Sequence, residues 1–220
     1  MKWAILERIE AAGLLCFNTG PHWSTLAKFR KSPLLKELED EGLLEVVEID
    51  GKKRKYYAPK GFLDRKYPDF DDRMRIIAPL DPIVWDRDLV NHVFNFDYVW
   101  EVYKKVHQRI WGYYVCPLLY KGDFVGRLEG ELKDDKLVIL RIWREKWSID
   151  DWNEEALMAA LNRHAENCGV SGVKLPKPMY ADLEEKETKS KKKDSEKKKE
   201  KKSEPKKKLV KKDKKRKSVE

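Results

Sequence analysis

Seven consecutive residues, Asp81-Pro82-Ile83-Val84-Trp85-Asp86-Arg87, hold two carboxylates, a guanidinium and an indole. Paired carboxylates can share general acid and general base work. The same residues have a structural reading: Asp86 as the N-cap of a following helix, Arg87 paired with an acidic neighbour, and Trp85 in the core. The structural reading is preferred, and no catalytic residue is assigned.

Three other clusters carry the chemistry of phosphate and base contact. Lys52-Lys53-Arg54-Lys55 follow the strong turn Asp50-Gly51, and a basic hairpin tip can lie on phosphates or enter a minor groove. The alternative is a solubilising turn. Lys104, Lys105, His107, Gln108 and Arg109 lie between Tyr103 and Trp111, a mixture that can hold phosphates and stack on unpaired bases. Here the alternative is a solvated turn between two strands. Lys28, Arg30 and Lys31 precede a helix and read either as backbone contacts or as ordinary surface charge. That helix exposes Glu37, Glu39, Asp40 and Glu41 against Lys36, so repulsion from phosphate argues against its insertion in a major groove.

Metal and cofactor chemistry find little support. His22, His92 and His164 are isolated, and Cys16, Cys116 and Cys168 form no CxxC pair, so no metal site, disulfide framework or cofactor is expected and the compartment reads as reducing. The stretch Gly122 to Gly130 lacks the Lys-Ser/Thr step of a phosphate-binding loop.

The 220 residues are 41% hydrophobic and 40% charged, with 8 Trp, 9 Tyr and 7 Phe, enough for a packed core. The net charge of +9 is uneven: residues 184–220 hold 19 basic and 9 acidic side chains, leaving 29 and 30 for residues 1–183. The basic character therefore belongs to the C-terminal stretch, with almost nothing to bury, and residues 181–220 read as a disordered Lys-rich tail. Such a tail can tether the protein to DNA by counterion release, address a nucleus in a eukaryote, or keep the chain soluble. Glu7, Arg8 and Glu10 interrupt the first apolar run before it reaches signal-peptide length, and the longest later one, Tyr113 to Tyr120, is far short of a membrane span. The expectation is a cytoplasmic, nucleoid-associated protein, nuclear if the source is eukaryotic, with no membrane partner.

The positioning elements follow from periodicity. Trp3, Ile5, Leu6, Ile9 and Ala12 have helical spacing up to Gly13, a short segment Thr25 to Arg30 follows Ser24, and Ser32-Pro33 opens a helix ending at Glu41-Gly42. Leu43 to Ile49 and Arg54 to Ala58 read as the two arms of a hairpin. Three helices and a hairpin predict a winged helix over residues 1–62, with a connector at 63–75. Beyond it, residues 76–180 read as an α+β domain with an antiparallel, barrel-like sheet and flanking helices. Its elements are a helix from Asp86 through Phe94, strands Tyr98–Tyr103, Gly112–Tyr120, Phe124–Leu132 and Lys136–Trp143, and a helix from Asp150 or Asp151 through Asn167. That last helix should expose Glu154, Glu155 and Arg163 and bury Leu157 and Leu161.

Three segments, Ile76 to Asp88, Phe94-Asn95-Phe96-Asp97-Tyr98 and Gly112 to Leu119, resemble in order and spacing the C-terminal half of the winged-helix DNA glycosylases of the AlkZ-like or YcaQ-like family, which unhook interstrand crosslinks and remove alkylated purines. The resemblance covers roughly residues 1–170 and implies that residues 1–62 are the last of the family's tandem winged helices. Family members are about twice this length, and their catalytic Gln-x-Gln or Gln-x-Asp motif lies upstream of everything matched here. This sequence has one glutamine, Gln108, and no such motif. The resemblance therefore implies a DNA-binding relative, on duplex or damaged DNA, without excision activity of its own. Two alternatives stand beside it: half of a split glycosylase whose catalytic winged helices come from a separate chain, and a protein-interaction or regulatory module.

Overall fold

The computed structural model describes residues 1–17, 21–29, 32–148 and 152–182, so Arg30, Lys31, Asp150, Asp151 and the Lys-rich tail lie outside the described residues. Helix α1 (Lys2–Ala12) buries Ile5 and Ile9 completely and stops at Gly13, whose φ of +73° suits a residue without a side chain. Trp3, two positions before Ile5, points away from that face and is 72% exposed. The segment expected as a second helix is shorter than foreseen: single 3-10 turns occur at Pro21–Trp23 and Ala27–Phe29, too brief for cooperative α-helix formation. Helix α2 (Pro33–Asp40) has Ser32 at its N-cap position and Pro33 at the first helical position, but the Ser32 hydroxyl makes no capping bond.

Strands β1 (Leu44–Glu48) and β2 (Lys55–Pro59) pair antiparallel, with Val47 opposite Tyr56, and Leu15 bridges to Tyr57 on the far edge of β2. Ile5, Ile9, Leu15, Trp23, Leu35, Leu38 and Leu44 form the core between helices and hairpin. The Trp23 indole N–H donates to the Cys16 carbonyl at 2.9 Å, satisfying the polar atom of this otherwise buried ring.

A five-stranded, curled sheet dominates the rest, in the order β3 (Arg75–Ile76), β4 (Val115–Tyr120), β5 (Asp123–Lys133), β6 (Lys136–Arg144) and β7 (Val173–Lys174). All pairs are antiparallel except β6 with β7. The β4–β5–β6 meander turns at Lys121-Gly122 and at Asp134-Asp135, all four with positive φ, as tight two-residue hairpins require. Helix α3 (Arg87–Phe94) precedes the meander and α4 (Glu154–Asn167) follows it; α4 buries Leu157 and Leu161 on the sheet while Glu154 and Glu155 face solvent. Its cap is Asn153, which accepts the Ala156 N–H at 2.9 Å. Arg163, expected on the exposed side, is half-buried and donates to the Met74 carbonyl.

Two expectations are corrected by packing. Residues 98–103 form no strand; within them Glu101 is buried, and its carboxylate takes the N–H groups of Ile110 and Trp111, so that facing segment is held by a side chain and not by a ladder. Trp85 is 46% exposed rather than in the core; its N–H is already satisfied by the Leu80 carbonyl at 2.6 Å, so the ring can stand at the surface.

Gly126 in β5 shows how closely the sheet is packed: a Cβ there would overlap the Trp143 carbonyl oxygen on β6. Gly126→Ala is expected to destabilise the protein by about 1–3 kcal/mol, measured by urea denaturation, since backbone must move to admit the methyl.

Met1–Leu183 form a single compact unit. Arg54 of the hairpin segment is paired with Asp88 of α3, and the Tyr56 hydroxyl meets His92 Nδ1 at 2.8 Å, so the N-terminal helices and hairpin are tied to the sheet-bearing part. Among the described residues, no helix is long and apolar enough to cross a membrane.

Candidate nucleic-acid interface

The loop from Val102 to Gly112 is organised by one carboxylate. Glu101 is 2% exposed, and its Oε2 accepts the backbone N–H groups of Ile110 at 2.8 Å and Trp111 at 2.7 Å, with Gly112 at 3.4 Å. Its other oxygen holds the Lys104 ammonium at 2.7 Å. A buried carboxylate gathering several N–H donors is an internal cap for the loop, the job that a strand ladder would otherwise do. A second carboxylate, Glu129 on β5, accepts the Tyr113 N–H at 2.6 Å and pairs with Arg141 at 3.3 Å. It packs where a Cβ on residue 112 would stand, which explains glycine there.

The loop so fixed presents rings and cations outward. Tyr103 is 90% exposed and Val106 77%, and Lys105, His107 and Gln108 are exposed around a 3-10 turn at Val106–Gln108. Arg109 folds back, donating to the Lys104 carbonyl and lying 4.7 Å from the centre of the Tyr113 ring. Trp111 turns inward, its ring 3.9 Å from the Arg127 guanidinium and edge-on to Trp143, so Tyr103 rather than Trp111 offers a free stacking face. Arg127 is 3% exposed and pairs with buried Glu145; desolvation lowers its hold on its proton, with Glu145 opposing that effect.

The hairpin tip keeps fewer uncommitted cations than its composition suggests. Arg54 is bound to Asp88 and Lys55 to Glu48 at 3.3 Å. Lys52 is half-buried and Lys53 exposed, and neither takes part in an ion pair among the described residues. Lys28 lies over the Phe29 ring at 4.9 Å in the second 3-10 turn, while Arg30 and Lys31 lie outside the described residues. On α2, Glu37 and Glu41 are both paired with Lys2, which offsets part of that helix's negative face.

Asp81 and Asp86 both act as caps: Asp81 accepts the Ile83 N–H at 3.0 Å and Asp86 Oδ1 accepts the Leu89 N–H at 3.2 Å. Asp88 is paired with Arg54, not with the neighbouring Arg87. No cluster of three His, Cys, Asp or Glu side chains able to hold a metal ion occurs among the described residues.

Sequence reasoning missed Glu101, Glu129, Arg127 and Glu145. Only Glu129 carried a signal, a carboxylate midway along an apolar strand. A loop built on a buried carboxylate that leaves Tyr103 and Lys105 exposed suits a polyanion with unpaired or deformable bases better than it suits a small substrate. The family model of the AlkZ-like DNA glycosylases matches residues 1–167, and no solved structure matches the chain. With three quarters of its length so matched, the chain belongs to the AlkZ-like DNA glycosylase family.

Proposed function

We propose that this member of a DNA-repair glycosylase family binds DNA without excising bases on its own, the N-terminal helices and hairpin serving as a winged helix. The observation that carries the reading is the loop from Val102 to Gly112, pinned from within by Glu101 while Tyr103 and Lys105 stay exposed. Such a loop can place lysine on phosphate and a tyrosine ring against an unstacked base. Lys52 and Lys53 supply a second phosphate contact, and the tail adds non-specific attraction. The setting would be the nucleoid in the cytoplasm.

Excision needs groups that position a water and stabilise charge developing on the sugar. The sequence has no Gln-x-Gln or Gln-x-Asp pair, and Asp81 and Asp86 each use one carboxylate oxygen as a cap. The purified protein, incubated with duplex containing N7-methylguanine and then treated with alkali, is expected to yield no strand breaks above the protein-free control. Multiple turnovers would overturn the reading.

A further inference from the structure

Helix α4 carries Ala160, Arg163, His164 and Asn167 at spacings of three and four, so these side chains share one face of the helix. That face meets residues 73–76, which lead into and form β3, and a notch of about 180 Å³ lies between them, away from the loop and hairpin discussed above. Arg73, Arg75, Arg163, His164 and Asn167 line the notch, and no carboxylate is among the described residues that do so. Ala160 adds only a methyl group to the wall, which leaves room for a ligand.

The cations stand on fixed supports. Arg75 makes two parallel bonds to Asp71, each of 2.8 Å, and a third to the Arg73 carbonyl at 2.9 Å, while Asp71 also accepts the Arg73 N–H at 3.2 Å. This clasp commits the Arg75 charge to Asp71 and holds the main chain of Arg73 at both its N–H and its carbonyl. Arg163 donates through Nη2 to the Met74 carbonyl at 2.8 Å, and Met74 is fully buried, so this guanidinium is anchored to the sheet. Neither Arg73 nor Arg163 enters an ion pair among the described residues. Two positive charges therefore stand at the notch with no carboxylate among its described walls to balance them.

Charge and size together select the ligand. A phosphate monoester carries a charge of about −1.5 to −2 near neutral pH, which matches two guanidiniums. A carboxylate or a phosphodiester brings a single negative charge and leaves one guanidinium unbalanced. The notch is smaller than the ~300–1,000 Å³ usual for larger ligands, so one phosphoryl group suits it better than a backbone phosphate flanked by two nucleosides. The C-terminal half of α4 has the wrong polarity for an anion, so the attraction must come from side chains. A neutral imidazole and an amide can each add donors beside the two guanidiniums.

We propose that this notch binds a phosphate monoester, its dianion held by Arg73 and Arg163 with His164 and Asn167 as further hydrogen-bond partners. The proposal does not depend on the loop contacting DNA, because the first probe is methyl phosphate and the signal is local to the notch. Methyl phosphate is titrated into the full chain at fixed pH while the ring Cε1–H resonance of His164, assigned with His164→Gln, is followed by NMR. Saturable movement at millimolar methyl phosphate is expected, with dimethyl phosphate and acetate bound about tenfold or more weakly. Arg73→Gln removes the charge of an exposed side chain while the main-chain bonds to Asp71 and Arg75 remain, and binding should weaken about tenfold or more. Asn167→Glu leaves both arginines in place and sets a carboxylate at the rim, so it should also weaken binding. Single-stranded oligonucleotides ending in a 5′-phosphate or a 5′-hydroxyl separate the sources of the group: movement with the phosphorylated strand alone assigns the notch to a DNA end, and movement with neither strand assigns it to free monoesters. No saturable movement with methyl phosphate, equal affinity for dimethyl phosphate or acetate, equal response to the two strands, or unchanged affinity in both variants would each overturn the assignment.

Discussion

Arg127→Met is expected to destabilise the protein by about 3–5 kcal/mol, because it leaves Glu145 as an uncompensated buried charge. The guanidinium binds Glu145 Oε1 through Nε at 2.9 Å and Nη2 at 2.5 Å, and donates through Nη1 to the Asp97 carbonyl at 3.0 Å. It also contacts the Phe96 ring at 4.2 Å and the Trp111 ring at 3.9 Å, so one side chain links the sheet to two separate loops. A double replacement, Arg127→Met with Glu145→Leu, should recover a substantial part of the loss, since a hydrophobic pair avoids the desolvation penalty of two ions. Urea denaturation of the two single variants and the double variant measures the coupling. A single-variant loss within about 0.5 kcal/mol of zero, the range of an ordinary surface change, would mean that the pair is solvated and the sheet face is not sealed as described.

Glu101→Ala should cost about 3 kcal/mol and should do so locally. The carboxylate holds the N–H groups of Ile110 and Trp111 and the Lys104 ammonium, and alanine supplies no replacement acceptor. Glu101→Gln keeps one acceptor oxygen and should fall between wild type and alanine. Amide hydrogen exchange separates this from general destabilisation: Ile110 and Trp111 should lose protection first, while β5 and β6 keep theirs. The same variant should lose DNA affinity, since Tyr103 and Lys105 would no longer be held in one arrangement.

Most of the elements were legible because their apolar residues repeat with the right period. Ile5 and Ile9 mark α1, Leu35 and Leu38 mark α2, Leu157 and Leu161 mark α4, and turns with Gly or Asp separate the arms of the meander. Residues 98–103 were misread because an extended loop and a strand share the same aromatic and β-branched composition, and nothing in the residue types announces that Glu101 is buried to bind the backbone of residues 110–112. Strands β3 and β7 contain two residues each and are too short to show any pattern.

The candidate site was legible in its cations and not in its anions. Lys52, Lys53 and Lys105 advertise themselves as a basic surface. By contrast, the pairing of Arg54 with Asp88, separated by 34 positions, depends on how the hairpin meets α3. A carboxylate such as Glu101 or Glu145 looks in sequence like any surface acid, and only its burial shows that it organises backbone or neutralises an arginine. Trp85 was misplaced for the converse reason: a large ring is usually core, yet here its polar atom is satisfied locally and one face stays open.

The central claim, that the folded body and not only the tail touches DNA, is tested most directly by the salt dependence of binding. Fluorescence anisotropy with duplex DNA containing an abasic site would compare the full chain with a Lys52→Gln, Lys53→Gln, Lys105→Gln triple variant, which removes three lysines that form no ion pair among the described residues. If each lysine neutralises a phosphate, the slope of log K against log salt should fall in magnitude by about three, with thermal stability unchanged. An unchanged slope and affinity would contradict the claim and leave residues 184–220 as the sole source of attraction to DNA.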